Sequence, residues 1–139
     1  MVRVYVLLLL VSNDSVLLLK RQNVDFGNNL FSLSGGECVY GETSANAIIR
    51  EAKEELNISI KPEDLELVHT LSRNGTENNL ILLFFKADKW SGEAILNEPH
   101  KHSELLWAPL NAIPDNMIPA HRQALDAIKN NIFYSEHGW

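Results

Sequence analysis

Gly36-Glu37-Cys38-Val39-Tyr40-Gly41-Glu42, then seven residues to Arg50-Glu51-Ala52-Lys53-Glu54-Glu55-Leu56-Asn57-Ile58, is the stretch on which the reading of this chain turns. From Thr43 to Leu56 the pattern is helical, with Ala45, Ile48, Ile49, Ala52 and Leu56 three and four apart on one apolar stripe. Thr43 or Ser44 can cap the start by accepting a backbone N–H, and Asn57 can take the left-handed conformation that ends a helix. At about 100° per residue, Glu51, Glu54 and Glu55 share one sector, beside rather than upon that stripe. Like charges at these spacings disfavour a bare helix by a few tenths of a kcal/mol per pair, roughly. A cation reverses that sign, and hard carboxylate oxygens suit Mg²⁺ or Mn²⁺. Arg50 can pair with Glu54 at i+4. Acids on one helix face are ordinarily just solvated, so the case rests on the rest of the stretch.

Outward from it, the 139 residues predict one domain over 1–139 with ordinary globular composition, 45% hydrophobic and 22% charged. Eighteen acidic residues against twelve Lys and Arg leave a net charge of -6, which opposes coating a nucleic-acid polymer. The acidity does not oppose a phosphate substrate, because carboxylates that collect divalent cations make a phosphate site. Cys38 is the single cysteine and closes no internal disulfide, which fits the cytoplasm. The apolar run Val4–Val11 has no cleavage site after it and reads as a strand, not a signal peptide; no stretch approaches the roughly 20 apolar residues of a membrane span.

The N-terminal runs, Val4–Val11 and Val16–Leu19 about Ser12-Asn13-Asp14, predict a hairpin. Leu30–Leu33 predicts a short strand stopping at Ser34-Gly35-Gly36, where a loop begins. Leu65–Leu71 and Leu80–Ala87 read as paired strands about Asn74-Gly75. A polar loop, Asp88–Ser103, precedes the strand Leu105–Ala108, and a last helix covers Pro119 to Asn131 with Ala120, Ala124, Leu125, Ala127 and Ile128 inward. Strands before and between two helices predict a mixed sheet covered by helices.

The stretch resembles the Nudix box, G-x5-E-x7-R-E-U-x-E-E-x-G-U with U bulky and aliphatic. Gly36, Glu42, Arg50, Glu51, Glu54, Glu55 and Ile58 fall on its fixed positions. Ala52 is smaller than the usual aliphatic, Asn57 replaces a glycine, and Ser34 stands where the family often has proline. The order of elements agrees along most of the chain. The resemblance implies an α/β/α sandwich and hydrolysis of a nucleoside diphosphate linked to a further group X. It implies one to three Mg²⁺ on Glu51, Glu54 and Glu55, with a backbone carbonyl near Gly35-Gly36 completing a site. Glu42 would support the box loop or an additional metal.

The general base implied by the resemblance is either a box glutamate or one from a later loop, for which Glu98 is the first candidate and Glu104 the second. His100 and His102 read as surface residues, Lys101 as a candidate phosphate contact, and Cys38 as structural. Met117–His121 resembles the start of the second helix in MutT-type triphosphatases, where an Asn can read an oxidised purine; here His121 stands in that place as the candidate base reader. Phe84, Phe85, Trp90 and Trp107 are a possible stacking wall, though strand aromatics are more often core. Many dimeric ADP-ribose pyrophosphatases of the family use an N-terminal extension, and the absence of an obvious one tilts the expectation toward a compact nucleoside-triphosphate pyrophosphohydrolase. The alternatives are a hydrolase of ADP-ribose, nucleotide sugars or dinucleoside polyphosphates, and a non-catalytic nucleotide-sensing domain. The oligomeric state and the place of Tyr134–Trp139 are not readable.

Overall fold

The computed structural model describes residues 1–139. Eight strands and two helices follow in the order β1 (Val2–Ser12), β2 (Ser15–Arg21), β3 (Phe31–Ser32), β4 (Ser34–Glu37), α1 (Ser44–Leu56), β5 (Glu66–Asn74), β6 (Asn79–Ala87), β7 (His102–Pro109), α2 (Pro119–Lys129) and β8 (Tyr134–His137). The sheet is mixed: β1 runs parallel to β6, β5 antiparallel to β6, and β8 parallel to β5. No helix is long and apolar enough to cross a membrane.

Both faces of β1 and β2 are buried, which explains why they read as unbroken apolar runs. Leu7, Leu9, Val16 and Leu18 pack with Ala120, Ala124 and Leu125 of α2 on one face. Val6, Leu8, Leu10, Leu17 and Leu19 pack with Ala47, Ile48, Ala52 and Leu56 of α1 on the other. The result is the helix–sheet–helix sandwich that the sequence predicts.

Several local expectations change. Asn13 and Asp14 do form the turn, with φ 51° and 60°, yet β1 and β2 pair only at Val11–Val16 and Ser12–Ser15. Beyond that point the two strands part: β2 carries β7 along its other edge, and the segment Phe31–Glu37 enters the split, pairing first with β2 and then with β1. Ser34-Gly35-Gly36 is therefore strand, not the start of a loop. A side chain at Gly35 would collide with the Val6 carbonyl, so only glycine lets this backbone lie so close to β1. β7 begins at His102, inside the predicted loop, and Glu104 stands exposed on it opposite Lys20. β5 ends at Asn74, with Gly75–Asn78 as the connection. The C-terminal segment docks as the edge strand β8, where buried His69 meets the Ile132 carbonyl and Ser135 Oγ, both at 2.8 Å.

Helix α1 is capped as its sequence predicts. Thr43 Oγ1 accepts the Asn46 N–H at 3.1 Å, and Asn57 is left-handed at φ 57°, ψ 37° with its N–H donated to Lys53. Its buried side holds Ala47 rather than Ala45, and it includes Glu55. A left-handed conformation costs a residue with a Cβ about 1–2 kcal/mol, which Asn tolerates better than most. Urea unfolding should therefore show Asn57→Gly to be neutral or slightly stabilising and Asn57→Val to lose about 1 kcal/mol or more; equal stability of the two variants would contradict this account of the helix end.

Candidate active site

Arg50 is the hub of the acidic helix. Its Nε and Nη2 donate to the two oxygens of Glu42 at 3.1 and 2.8 Å, and Nη2 also donates to the Glu37 carbonyl at 3.1 Å. Nη1 reaches Glu51 at 3.0 Å and both oxygens of Glu54 at 3.3 Å. One cation thus gathers three carboxylates and the backbone of the box loop. Hydrogen bonding from Arg50 lowers the pKa of Glu42, and Glu42 Oε1 also accepts the Val39 N–H at 3.0 Å. Both Glu42 oxygens are occupied in holding that loop.

The three acids of the helix differ in environment. Glu54 is exposed. Glu51 is half-buried, and burial raises its pKa against the opposing pull of Arg50. Glu55 is buried, not solvated beside the apolar stripe, because the strand opposite supplies donors: Ser34 O–H at 2.6 Å and Gly35 N–H at 2.8 Å, both onto Oε1. Burial still dominates and pushes its pKa up to about 8, with repulsion from Glu51 and Glu98 adding to it. As the side chains stand, no three acids meet at ligand distances; Arg50 draws Glu51 and Glu54 sideways while Glu55 faces Ser34.

The donor set nevertheless fits a hard divalent cation. All the available atoms are carboxylate or carbonyl oxygens, the raised pKa values of Glu51 and Glu55 mark negative charge in need of compensation, and Gly36 leaves room for the Glu51 carboxylate, which a Cβ there would strike.

The loop after β6 is tied to the same helix. Asn97 donates its side chain to the Glu54 carbonyl at 2.9 Å and its N–H to the Glu55 carbonyl at 3.0 Å, while the Ile95 N–H reaches the Leu56 carbonyl at 3.1 Å. These bonds satisfy the otherwise orphaned last carbonyls of α1. They also hold Glu98 close enough for its charge to raise the pKa of Glu51 and Glu55. Glu98 lies 3.6 Å from Lys101 Nζ. Glu104 has no place in this cluster.

A cavity of about 610 Å³ opens beside Gly35, Gly36 and Glu55, lined further by Arg21, Arg73, Lys101, His102, His121 and Phe26. His121 is buried, with Nδ1 accepting the Leu33 N–H at 3.2 Å. His100 is exposed. His102, read from sequence as a surface residue, is buried, since β7 starts there and turns it inward. Its Nε2 lies 3.7 Å from Glu55 Oε2, its Nδ1 is sealed without a partner, and burial lowers its pKa to about 4. Phe84 and Phe85 are core, and Trp90 stacks on Trp107 with centroids 6.0 Å apart, so none of the four lines the cavity. The aromatic residues that do so are half-buried Tyr5 of β1 and exposed Phe26, the latter in a polar turn that sequence reasoning passed over. Arg21 was legible only as the end of an apolar run, and Arg73 carried no local signal. Cys38 has its thiol pKa raised, first by burial, and so is no nucleophile.

Burial lowers the His121 pKa to about 3, whereas an unfolded His titrates near 6.5. Between these values the unfolded chain binds a proton that the folded chain does not, so stability falls with falling pH by about 1.4 kcal/mol per unit from this group. His121→Gln, which keeps an acceptor for Leu33, should flatten the pH dependence of the urea midpoint between pH 4 and 6.5; an unchanged slope would show that His121 is not neutral in the fold.

Comparison with known proteins agrees with this geometry. The model of the NUDIX domain matches residues 1–128. An ADP-ribose pyrophosphatase of Methanocaldococcus jannaschii is 31% identical over 102 residues, covering 73% of this chain and 59% of that protein. The chain thus spans under two thirds of that relative's length. An 8-oxo-dGTP diphosphatase of Escherichia coli is 26% identical over 117 residues, covering 84% of this chain and 88% of the other. The crystal structure of a MutT NUDIX hydrolase from Burkholderia pseudomallei superposes with a TM-score of 0.83 at 26% identity, covering 91% of this chain and 97% of that one. With the box residues of α1 and the sandwich around them in place, the chain belongs to the NUDIX domain family.

Proposed function

We propose that residues 1–139 form a single Mg²⁺-dependent pyrophosphohydrolase domain, acting on a nucleoside triphosphate and releasing a nucleoside monophosphate and pyrophosphate. The observation that carries the reading is that Glu55, next to the Arg50-gathered carboxylates on the same helix, lines a cavity whose walls also carry Arg21, Arg73 and Lys101. Acidic and basic groups around one cavity suit a polyanion with a cation beside it. Glu51, Glu54, Glu55 and the Gly36 carbonyl would hold the metal, Mg²⁺ or alternatively Mn²⁺, which would supply charge neutralisation at phosphoryl oxygens and acidify water.

The chain's own groups do the rest. Arg50 orients Glu51 and Glu54. Ser34 and Gly35 fix the Glu55 carboxyl. Glu98, set by the Asn97 bonds to α1, or a box glutamate, accepts the proton of the attacking water. Lys101 beside Glu98 meets phosphate charge, and His121 meets the base. The relatives carry two different printed activities, one on ADP-ribose and one on 8-oxo-dGTP. The second covers 88% of its own length with this chain, which supports the triphosphate reading over a diphosphate-X one. The lone thiol Cys38 supports a reducing, cytoplasmic setting.

Glu54→Gln tests the reading with little risk to the fold, because Glu54 is exposed and Glu42 keeps the bidentate hold on Arg50. Turnover of triphosphate should fall by about 10²-fold or more, as for loss of a group aimed at developing charge, with thermal stability nearly unchanged. Chelation of divalent metal should abolish the wild-type activity. Retained turnover in the variant, or activity in the presence of a chelator, would refute it.

A further inference from the structure

The two helices do not cover the sheet evenly. On the α1 side, Val6 and Leu8 of β1 and Phe85 of β6 are buried in the cluster beneath the helix, and Leu83 touches its margin. Side chains alternate along a strand, so Val2 and Val4 share the face of Val6. The ladders extend that face sideways, because directly paired residues point the same way. From Val6 one row runs through Leu83 and Thr70 to Tyr134, and from Val4 the next runs through Ile81 and Ser72 to Glu136. Val2, Asn79 and Asn74 make a third row. Ser135 and His137 point the other way, to Gln123 of α2. Val4 and Ile81 are half-buried yet pack with neither helix cluster. Val2, Leu67 and Tyr134 are 56%, 50% and 52% exposed, and Leu67 flanks the face beside Phe85. Glu136 is the one charged side chain in the three rows, and its carboxylate accepts the Tyr134 O–H at 2.8 Å.

Strand positions that no helix covers are ordinarily polar, whereas Val2, Val4, Ile81 and Leu83 are aliphatic. We propose that this face is the interface of a homodimer, in which two copies pack sheet against sheet across a two-fold axis. Four strands about 4.8 Å apart and three rows roughly 7 Å apart make a patch of about 400 Å² per copy. With Leu67 at its margin, the pair buries roughly 800–1,000 Å², the lower limit of a specific interface, so the dimer is weak and depends on concentration. Charge favours a second copy over other partners. A face without Lys or Arg offers nothing to a nucleic acid or to an anionic membrane surface. Meeting its own neutral image strands no charge, since Glu136 lies exposed on the outermost strand. The cavity opens on the opposite face, beside Tyr5, Leu7, Leu80 and Leu82, so both cavities stay open in the dimer. The interface is therefore independent of the hydrolase reading.

Sedimentation velocity of the wild-type protein from about 5 to 500 µM should show monomer giving way to dimer, with a Kd in the micromolar range. Ile81→Lys sets a charge in the middle of the face and should raise that Kd by about tenfold or more. Ile81→Thr keeps a strand-forming side chain and should raise it by about threefold or more. Leu110→Lys changes an exposed residue beside Leu125 and Ile128 of α2, away from the face, and should leave the Kd as it is. Circular dichroism confirms the folding of each variant, and the threonine variant carries the test if the lysine one does not fold. A wild type that stays monomeric over the whole range, Ile81 variants that dimerise as tightly as the wild type, or an equal loss in Leu110→Lys would overturn the proposal.

Discussion

Glu55 is a carboxyl group buried between a helix and a strand, and the site is organised around the two donors that meet it. The Ser34 hydroxyl and the Gly35 N–H bind one of its oxygens, which fastens the last turn of α1 to the strand wedged between β1 and β2. An acid in that position with no donors would face the full cost of desolvation. The wedge itself exists because Gly35 can lie against the Val6 carbonyl. The same turn of helix receives the Ile95 and Asn97 bonds from the loop carrying Glu98. Helix, strand and loop are therefore tied to one another, and each contributes a group to the lining of the same cavity.

Charge is balanced across this body by position rather than by number. Arg50 gathers Glu42, Glu51 and Glu54 on the outward side of α1, while Glu55 sits behind them with its pKa held up by burial. Arg21, Arg73 and Lys101 line the same cavity as Glu55, with Lys101 beside Glu98. Two buried histidines between them, His102 and His121, stay neutral because burial and the neighbouring cations both oppose their protonation. On the proposed reading, cations on the acidic side would let an acidic chain take an anionic substrate.

The parts legible in the sequence are those written in local spacing. The apolar stripe, Thr43 and Asn57 placed α1 and its caps. The unbroken runs of β1 and β2 announced strands buried on both faces. The fixed offsets of Gly36, Glu42, Arg50, Glu51, Glu54 and Glu55 pointed to the acidic helix that lies beside the cavity. What was illegible arises from long-range pairing. Glycine has no strand propensity, so Ser34–Glu37 looked like a loop until β1 gave it a partner. Tyr134–His137 becomes a strand only because β5 offers a free edge. His102 and Glu55 are polar residues that only tertiary donors, or a strand's inward face, could bury. Phe26 and Arg73 come from distant segments and meet only in the folded cavity.

The central claim is that this cavity and acidic helix cleave a nucleoside triphosphate between its α- and β-phosphates. Phosphorus NMR of the reaction with Mg²⁺ over canonical and oxidised triphosphates, ADP-ribose, nucleotide sugars and dinucleoside polyphosphates tests it most directly. The account predicts a pyrophosphate signal growing in step with a nucleoside monophosphate from at least one triphosphate. Orthophosphate with nucleoside diphosphate, activity confined to the diphosphate-X compounds, or silence across the whole panel would contradict it.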